Sequence, residues 1–370
     1  MLRGADPATV RAAVESGDPL PGTAGFAGEL DGSLVRDVLG RQPLFSERAV
    51  GEFEDPTAPG AWSFDRRDLD DPVRVPAGTR RTAAGDEATW TLPTPPVETN
   101  REAALSAVAD AVTESVRGVD DEGLAVAFSG GVDSAVVAAG VPDAPRYVAG
   151  FEGSHDVAGA RAAAAAMDRS ADLRVVELTH DDIREAVPEL DSVLGRTNPM
   201  DLQIALPLYL VGKRAAADGF DRLAVGQGAD ELFGGYAKVA KAPDDPRVEA
   251  YTVRGAATEM IRTLPDQLER DVLALRAAGV EPVAPLLHDR VVRAALPLPG
   301  DLLVADGRRK VALREAARGL VPESVASTEK KAVQYGTYAS RELDRLARRA
   351  GYKRRMENHV ERYVRSLVES

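Results

Sequence analysis

The chain has 370 residues, 44% of them hydrophobic, and a formal net charge of −13 at pH 7. This length allows two domains with full cores, and the hydrophobic content excludes wholesale disorder. The acidic balance argues against broad nucleic-acid binding, and the absence of cysteine excludes disulfides, thiolate nucleophiles, iron–sulfur clusters and Cys-based zinc sites.

The sequence carries no apolar run of membrane-spanning length and no signal-peptide pattern at its N-terminus. We therefore expect a soluble, cytoplasmic protein. Lysine is scarce, whereas Asp, Glu and Ala are abundant, a composition that resembles proteins of salt-rich cytoplasm. The composition thus predicts a halophilic protein that loses structure in low salt.

The first 98 residues are rich in Gly, Pro and Asp and end in the linker-like segment "TLPTPPVETN". This shift in composition predicts a domain boundary, with one domain at residues 1–98 and a second at 99–370. Periodic Ala, Leu and Val then predict a helix that is capped by Thr99 or Asn100.

Strand and helix patterns alternate from residue 124 to about residue 226, in the order expected for a doubly wound α/β sheet. Ligands of such sheets bind at the carboxyl ends of the strands. After about residue 245 the apolar periodicity is helical almost throughout, which predicts a helical C-terminal part.

A short hydrophobic run at residues 124–128 precedes the Gly-rich turn "SGGVDS", and small apolar residues follow it. The run is typical of a buried parallel strand, and the residues from Ser134 onward predict a helix. Such a turn aims backbone N–H groups and a helix dipole at one point, which favours phosphate as the ligand. A tight turn without a ligand is the alternative, but the hydroxyls of Ser129 and Ser134 and the carboxylate of Asp133 suit phosphate and magnesium.

A second Gly-rich turn, "GQGADELFGGY" at residues 226–236, follows the strand-like "RLAV". If both turns lie at the same edge of one parallel sheet, Asp133 and Asp230 face each other across a triphosphate and bridge to it through Mg²⁺. The alternative places Asp230 and Glu231 in the first turn of a helix, where the dipole favours carboxylates. That alternative explains the charges but not the flanking glycines.

Three motifs then give the chain a family resemblance: "FSGGVDS", "GQGADELFGGYAKVAKAP" and "KVALREAARGLVPESVASTEKKAVQYG". In this order they resemble the synthetase domain of the asparagine synthetase family, which includes β-lactam synthetase and belongs to the ATP-pyrophosphatase, or PP-loop, proteins. The resemblance covers about residues 99–340. It implies an α/β fold with a doubly wound parallel sheet of the PP-loop (HUP) type, preceded by a small degenerate β-rich domain.

The resemblance implies an asparagine synthase-like, AMP-forming carboxylate-amine ligase that uses ATP and Mg²⁺. Such enzymes adenylate a carboxylate, here aspartate or a related acid, release pyrophosphate and form an amide when an amine displaces AMP. The resemblance implies that Asp133 and Asp230 are the magnesium ligands. It also implies that Lys330, with Lys331 as its alternative, neutralises the negative charge on the pyrophosphate and the acyl-adenylate. The residues that it assigns to ATP and pyrophosphate are Phe128, Ser129, Gly130, Gly131, Asp133, Ser134, Ala149, Val225 and Gly226.

The chain departs from the family at Gln227, where the family usually has a glutamate and β-lactam synthetase has a tyrosine. Glutamine cannot act as a general base, so ammonia attacks unaided, the nucleophile differs, or Glu231 assists. The candidate catalytic residues are therefore Lys330, Gln227 and Glu231. Gly195 and Gln203 stand where the family usually has an acidic residue and an arginine near the amino-acid pocket, so the acid can differ from aspartate.

The segment "GTAGFAGELDGSLVRDVLGRQPLF" resembles part of the family's glutaminase domain, with Arg36, Asp37, Gly40, Pro43 and Leu44 in register with its R-D-x-x-G-x-K-P-L pattern. Glutamine hydrolysis in that domain requires a cysteine as the first mature residue, whereas this chain begins Met-Leu and has no cysteine. We therefore expect residues 1–98 to be a shortened, inactive glutaminase-like (Ntn-type) domain. Free ammonia, a separate glutaminase or another amine then supplies the nitrogen.

The expected partners are small-molecule acid and amine substrates, with a separate glutaminase and a homodimer as options and with no nucleic acid or membrane. Two other functions stay open: a β-lactam-synthetase-like ligase with a different acid and amine, and a non-catalytic nucleotide-binding regulator. Sulfur transfer by a PP-loop tRNA-modifying enzyme is a more distant option, because the chain lacks cysteine and is acidic.

Overall fold

The computed structural model describes residues 1–48, 55–196, 198–242, 252–329 and 336–369. The strands of these residues are β1 Leu2–Arg3, β2 Ala27–Leu30, β3 Ser33–Arg36, β4 Phe45–Glu47, β5 Trp62–Ser63, β6 Pro72–Arg74, β7 Thr79–Thr82, β8 Gly85–Ala88, β9 Leu124–Ala127, β10 Arg146–Gly150, β11 Leu173–Glu177, β12 Arg222–Ala224, β13 Glu281–Val283, β14 Val304–Ala305 and β15 Arg308–Arg309. Their helices are α1 Pro7–Ser16, α2 Arg101–Arg117, α3 Val132–Gly140, α4 His155–Ala166, α5 His180–Leu194, α6 Pro199–Ala217, α7 Ala229–Leu232, α8 Ala237–Lys241, α9 Val253–Arg262, α10 Leu264–Ala277, α11 Asp289–Ala295, α12 Gly300–Leu303, α13 Val311–Ala317, α14 Glu323–Ala326, α15 Ala339–Arg349 and α16 His359–Val368. Each helix within these ranges is too short or too polar to span a lipid bilayer.

Contacts between residues divide the chain into two units, each assembled from segments that are distant in sequence. The first unit comprises Met1–Gly118, Gly226–Glu269 and Ala284–Gly319, and the second comprises Val119–Val225, Arg270–Val283 and Leu320–Ser370. This grouping differs from the predicted division into residues 1–98 and 99–370. The domain boundary at residue 98 stays a prediction.

The first unit contains two antiparallel sheets with strand orders β1-β2-β3-β7-β8 and β5-β4-β6. Strands β2 and β3 are joined at Asp31 and Gly32, whose φ angles of 49° and 75° suit the tight hairpin turn that an Asp-Gly pair favours. A core cluster lies against this sheet, in which the Phe26 and Trp90 rings pack edge to face at 5.3 Å. The buried Trp90 N–H donates to the carbonyl of Ala13 at 3.2 Å, so this polar atom is satisfied within the core.

The second unit contains the predicted parallel sheet, with strand order β11-β10-β9-β12-β13. The run at residues 124–126 forms its central strand and is almost entirely buried, as its apolar composition predicts. The chain leaves β9 on one side to form β10 and β11 and returns on the other side as β12. The strand order therefore reverses between β9 and β12, which makes their carboxyl ends the expected ligand site of the sheet.

Helix α2 begins where the sequence predicts, because the Asn100 side chain accepts hydrogen bonds from the backbone N–H groups of Glu102 and Ala103. The prediction of helix almost throughout after residue 245 is wrong in two places. Strand β13 extends the parallel sheet beside β12, and β14 and β15 form a hairpin. The hairpin turn is the pair Asp306 and Gly307, with φ angles of 52° and 75°.

Candidate functional site

The first predicted phosphate loop connects β9 to α3 in the second unit. Its start is fixed to the sheet, because the backbone N–H of Phe128 donates to the carbonyl of Tyr147 in β10 at 2.7 Å. Helix α3 begins at Val132, two residues earlier than the sequence predicts. The loop therefore leads directly from the central strand into a helix N-terminus.

The hydroxyl of Ser134 closes this loop from within. It donates to the carbonyl of Gly131 at 3.1 Å and accepts from the backbone N–H of Ser129 at 3.2 Å, and the two serine hydroxyls are also 3.2 Å apart. Gly130 has a φ of +76°, and a Cβ atom at this position would lie 2.5 Å from the carbonyl oxygen of Gly159 in α4. A glycine is thus required here both by the backbone conformation and by the packing of the loop on α4.

The N-terminus of α3 has the features of an anion site. Its N-cap residue is Gly131, which has no side chain to cap the first helical N–H groups. These donors and the helix dipole lie at the carboxyl edge of the central strand, beside the half-buried Asp133. The arrangement suits a phosphate group with a cation at the nearby carboxylate.

Two of the residues predicted to bracket the nucleoside lie at the same edge of the sheet as Phe128. Ala149 is 3% exposed near the carboxyl end of β10. Val225 directly follows β12, and its backbone N–H donates to the carbonyl of Val283 at 2.9 Å. The second unit therefore brings Phe128, Ala149 and Val225 to the carboxyl ends of three adjacent strands.

The second Gly-rich loop lies in the first unit, from Gly226 to the short helix α7. Gly228 has a φ of +89°, and an added Cβ would lie 2.5 Å from Leu287, so the glycine is required by conformation and by packing. Gln227 is half-buried. The Oδ1 atom of Asp230 accepts from the ammonium of Lys310 at 2.7 Å, while 47% of the Asp230 side chain is exposed.

Glu231 occupies a different environment from its neighbour Asp230. It is 5% exposed, and its Oε1 atom accepts from the hydroxyl of Tyr236 at 2.5 Å. Burial and, next, the charge of Asp230 raise the pKa of Glu231 to about 7. Burial and the Glu231 charge also raise the pKa of Tyr236, so the phenol stays protonated and donates. A catalytic role for Glu231 stays a prediction.

The predicted catalytic lysine, Lys330, and its alternative Lys331 lie outside the described residues. The described chain continues at Gly336, where an added Cβ would lie 2.2 Å from an oxygen of Asp156 in α4. The carbonyl of the next residue, Thr337, accepts from the backbone N–H of Phe151 at 3.3 Å. The described residues Gly336 and Thr337 therefore pack against the end of β10 and the start of α4.

Two departures from the family pattern have local structural settings. Gly195 is the C-cap of α5 with a left-handed φ of +59°, a conformation that glycine adopts without strain. Gln203 is 9% exposed within α6. Each residue thus belongs to the structure of a helix, and a role of either one in choosing the acid stays a prediction.

Carboxylate oxygens are the donors that magnesium prefers, and this ion commonly takes only one or two carboxylates besides water and phosphate oxygens. Asp230 fits such a role, because its half-exposed carboxylate already holds a cationic group. Asp133 lies in the second unit and Asp230 in the first, so their sharing of one ion stays a proposal. Within the described residues there is no group of three or more His, Cys, Asp or Glu that could hold a metal.

Lys310 is the residue of this site that the sequence reasoning missed. It is 8% exposed and has a φ of +58°, an uncommon backbone conformation for a residue other than glycine. The motif "KVALREAARGL" begins with this lysine, but its partner Asp230 lies 80 positions earlier in the chain. The sequence signal that could have indicated this ion pair is a basic residue at the start of one motif and a carboxylate within another.

A comparison with protein families identifies the family of the chain. The family model described as Asparagine synthase matches residues 104–250 and 241–367, most of the chain. The chain belongs to the asparagine synthase family. This membership supports a ligase as the enzyme class of the protein, and the nucleotide that the family uses is ATP.

Curated relatives of this asparagine synthase family protein include enzymes from archaea, bacteria and plants. A Methanocaldococcus jannaschii protein named as a glutamine-hydrolyzing asparagine synthetase is 27% identical over 298 residues, which cover 71% of this chain and 54% of the relative. Asparagine synthetase B of Escherichia coli is 27% identical over 246 residues (60% of this chain, 43% of the relative), and a Brassica oleracea asparagine synthetase is 26% identical over 211 residues (52% and 34%). The matched region thus spans about a third to a half of the length of these curated relatives.

Proposed function

We propose that this asparagine synthase family protein is an ATP- and Mg²⁺-dependent ligase that adenylates a carboxylic acid and converts it to an amide. The acid is aspartate or a related acid, and the amine is ammonia or another small amine. The single observation that carries the proposal is the loop from β9 to α3, in which the N-cap residue Gly131 leaves the helix N-terminus without a side-chain cap at the carboxyl edge of the central strand. In this proposal the parallel sheet is a PP-loop domain of the HUP type.

The reaction has two steps. In the first, a carboxylate oxygen of the acid attacks the α-phosphorus of ATP, and the bond to the β,γ-pyrophosphate breaks. The N–H groups at the start of α3 would hold the leaving pyrophosphate and stabilise its charge. Magnesium, held by Asp133 and Asp230, would neutralise further phosphate charge. In the second step the amine attacks the acyl carbon, AMP leaves with the bonding electrons, and the nitrogen loses a proton.

The nitrogen source is part of the proposal. The 370 residues contain no cysteine that could act as a thiol nucleophile on glutamine. Arg36, within the glutaminase-like pattern, is fully buried, and its guanidinium donates to the backbone carbonyls of Gln42, Val75 and Gly40 at 2.8–2.9 Å. Burial lowers the pKa of Arg36 to about 10, which fits a structural role. We therefore propose that residues 1–98 are a degenerate glutaminase-like domain and that ammonia or another enzyme supplies the nitrogen.

A ligase for a different acid and amine, similar to β-lactam synthetase, is the second candidate. It is favoured by Gln203, a nearly buried neutral residue where the family resemblance places an arginine. Without that positive charge, an acid with a second carboxylate loses an ion-pair partner in the pocket. The second candidate keeps the adenylation step and changes only the substrates.

The test is to incubate the protein with ATP, Mg²⁺, ammonium and high KCl, to add candidate acids singly, and to quantify AMP, pyrophosphate and the amide. Aspartate-dependent AMP with asparagine as product supports the first candidate, and AMP that depends on another acid supports the second. Asp133→Ala should abolish AMP formation, whereas Asp143→Ala, which changes an exposed aspartate of the same unit, should not. ATP binding without turnover for every acid would instead favour a regulator and contradict both candidates.

A further inference from the structure

Burial, close packing and backbone conformation all restrict the ion pair between Lys310 and Asp230. The lysine side chain is only 10% exposed, and its ammonium lies 2.7 Å from Oδ1 of Asp230. Burying an ammonium is costly unless an anion compensates it, and Asp230 is a carboxylate at hydrogen-bond distance. Asp230 keeps nearly half of its side chain in solvent, so its carboxylate stays accessible to a second cation.

The backbone of Gly235 packs directly against both side chains of this pair. Its φ is not in the left-handed region, so a side chain here would be excluded by space and not by backbone conformation. An added Cβ would lie 1.8 Å from Oδ1 of Asp230 and 2.3 Å from Cε of Lys310. The guanidinium of Arg309 fixes this backbone by donating to the carbonyl of Gly235 at 2.7 Å.

The backbone of Lys310 is held in a conformation that few residues other than glycine adopt. Its φ of +58° places it in the left-handed region directly before α13. Such conformations cost about 1–3 kcal/mol and persist where the surroundings impose them, often at functional sites. Desolvation of a buried ammonium largely offsets its attraction to a carboxylate, so the pair adds little net stability and this constraint points to a function at the Asp230 carboxylate.

We propose that Lys310 is a positioning residue that occupies the cation position on Asp230 in the metal-free protein and is displaced when a divalent metal binds. This inference rests on the proposed function, because it takes Asp230 as a ligand of the metal. The lysine keeps the carboxylate oriented before the metal arrives, and it opposes metal binding through its own charge. Metal affinity is therefore set by competition between Lys310 and the ion.

The test uses Mn²⁺ as the probe, with its binding to the full chain measured by the electron paramagnetic resonance signal of the free ion, in the presence of α,β-methylene-ATP. Lys310→Met removes the competing charge and should tighten Mn²⁺ binding about tenfold, a Coulomb effect discounted for the exposure of Asp230. Lys310→Arg keeps the charge and should bind Mn²⁺ like the original protein. Lys238→Met, which removes an exposed lysine of α8 in the same unit, is the matched control and should have no effect.

Asp230→Asn separates this inference from the proposed function. If Asp230→Asn weakens Mn²⁺ binding but Lys310→Met leaves it unchanged or weaker, the competition is refuted while the metal role of Asp230 stands. If Asp230→Asn has no effect on Mn²⁺, the metal role itself fails. If Lys310→Met does not fold, acetylation of the original protein tests the displacement instead. A displaced Lys310 is more accessible, so Mn²⁺ should accelerate its modification by acetic anhydride. An unchanged rate refutes displacement.

Discussion

Replacing Gly130 with alanine tests whether the loop between β9 and α3 works as a rigid anion site. The new Cβ would lie 2.5 Å from the carbonyl oxygen of Gly159, 2.6 Å from its carbon and 2.8 Å from the nitrogen of Ala160. All three are backbone atoms of α4, so none can rotate away as a side chain would. Gly153 is the matched control, because it has a similar φ of +71° but no atom within 4 Å of an added Cβ.

The two substitutions differ only in the steric clash, and this sets their expected magnitudes. Gly153→Ala places a side chain in the left-handed region, which costs about 1–2 kcal/mol of folding free energy. Gly130→Ala adds overpacking against backbone, about 1–3 kcal/mol more, so its total cost is about 2–5 kcal/mol. Relief of the clash moves the loop by a fraction of an ångström to an ångström, and misplacement on this scale can lower a rate about a hundredfold.

Urea unfolding gives the free energies, and acid-dependent exchange of pyrophosphate into ATP, measured well below the unfolding transition, gives the adenylation rate. We expect Gly130→Ala to lose most of the exchange while Gly153→Ala retains it. Equal stability and equal exchange in the two variants would show that the loop is not held against α4 as described, and the reasoning from its geometry would be refuted.

Three further predictions concern stability and conditions. The Arg41 guanidinium lies 2.8 Å from the buried carboxylate of Asp37 and 2.7 Å from that of Asp289. Arg41→Met leaves both carboxylates without their shared cation and should lower the free energy of unfolding in urea by about 3–5 kcal/mol. A loss below about 1 kcal/mol would contradict this. Hydrogen bonding from Arg354 holds the pKa of Asp344 well below its usual range, so this residue stabilises the fold above about pH 4 and loses that contribution as pH falls toward its folded pKa. The difference in unfolding free energy between the original protein and Asp344→Asn should therefore shrink from pH 7 to pH 3, and a constant difference would refute the coupling. The net charge of −13 predicts a melting temperature that rises with KCl concentration, and an equal melting temperature in dilute buffer would count against a halophilic protein.

The sequence predicted the parts of the fold that depend on local signals. The Asn100 cap, the buried strand at residues 124–127 and the loop before α3 were all readable, because each is encoded by adjacent residues. The Asp-Gly turn at residues 306–307 was equally local, but the helical periodicity around it obscured the β14–β15 hairpin. Strand β13 contains a charged residue and a proline and became visible only through its pairing with β12.

The site was predictable where a motif contains its own contacts and not where contacts join distant segments. The closure of the loop by Ser134 takes place within six residues. By contrast, the pairing of Asp230 with Lys310 joins residues 80 positions apart, and the docking of Thr337 on Phe151 joins residues that are more than 180 positions apart. Such pairings depend on tertiary packing, which composition and periodicity do not encode.

The most direct test of the proposed adenylation is the exchange of radiolabelled pyrophosphate into ATP with Mg²⁺ and aspartate, or the acid found active, in the absence of any amine. Exchange requires that the acyl-adenylate form reversibly, so no amide need be made. We predict exchange that depends on the acid and is lost in Asp133→Ala but kept in Asp143→Ala. Formation of ADP and phosphate with the same acid, without exchange, would show phosphoryl transfer in place of adenylation and would contradict the proposed chemistry.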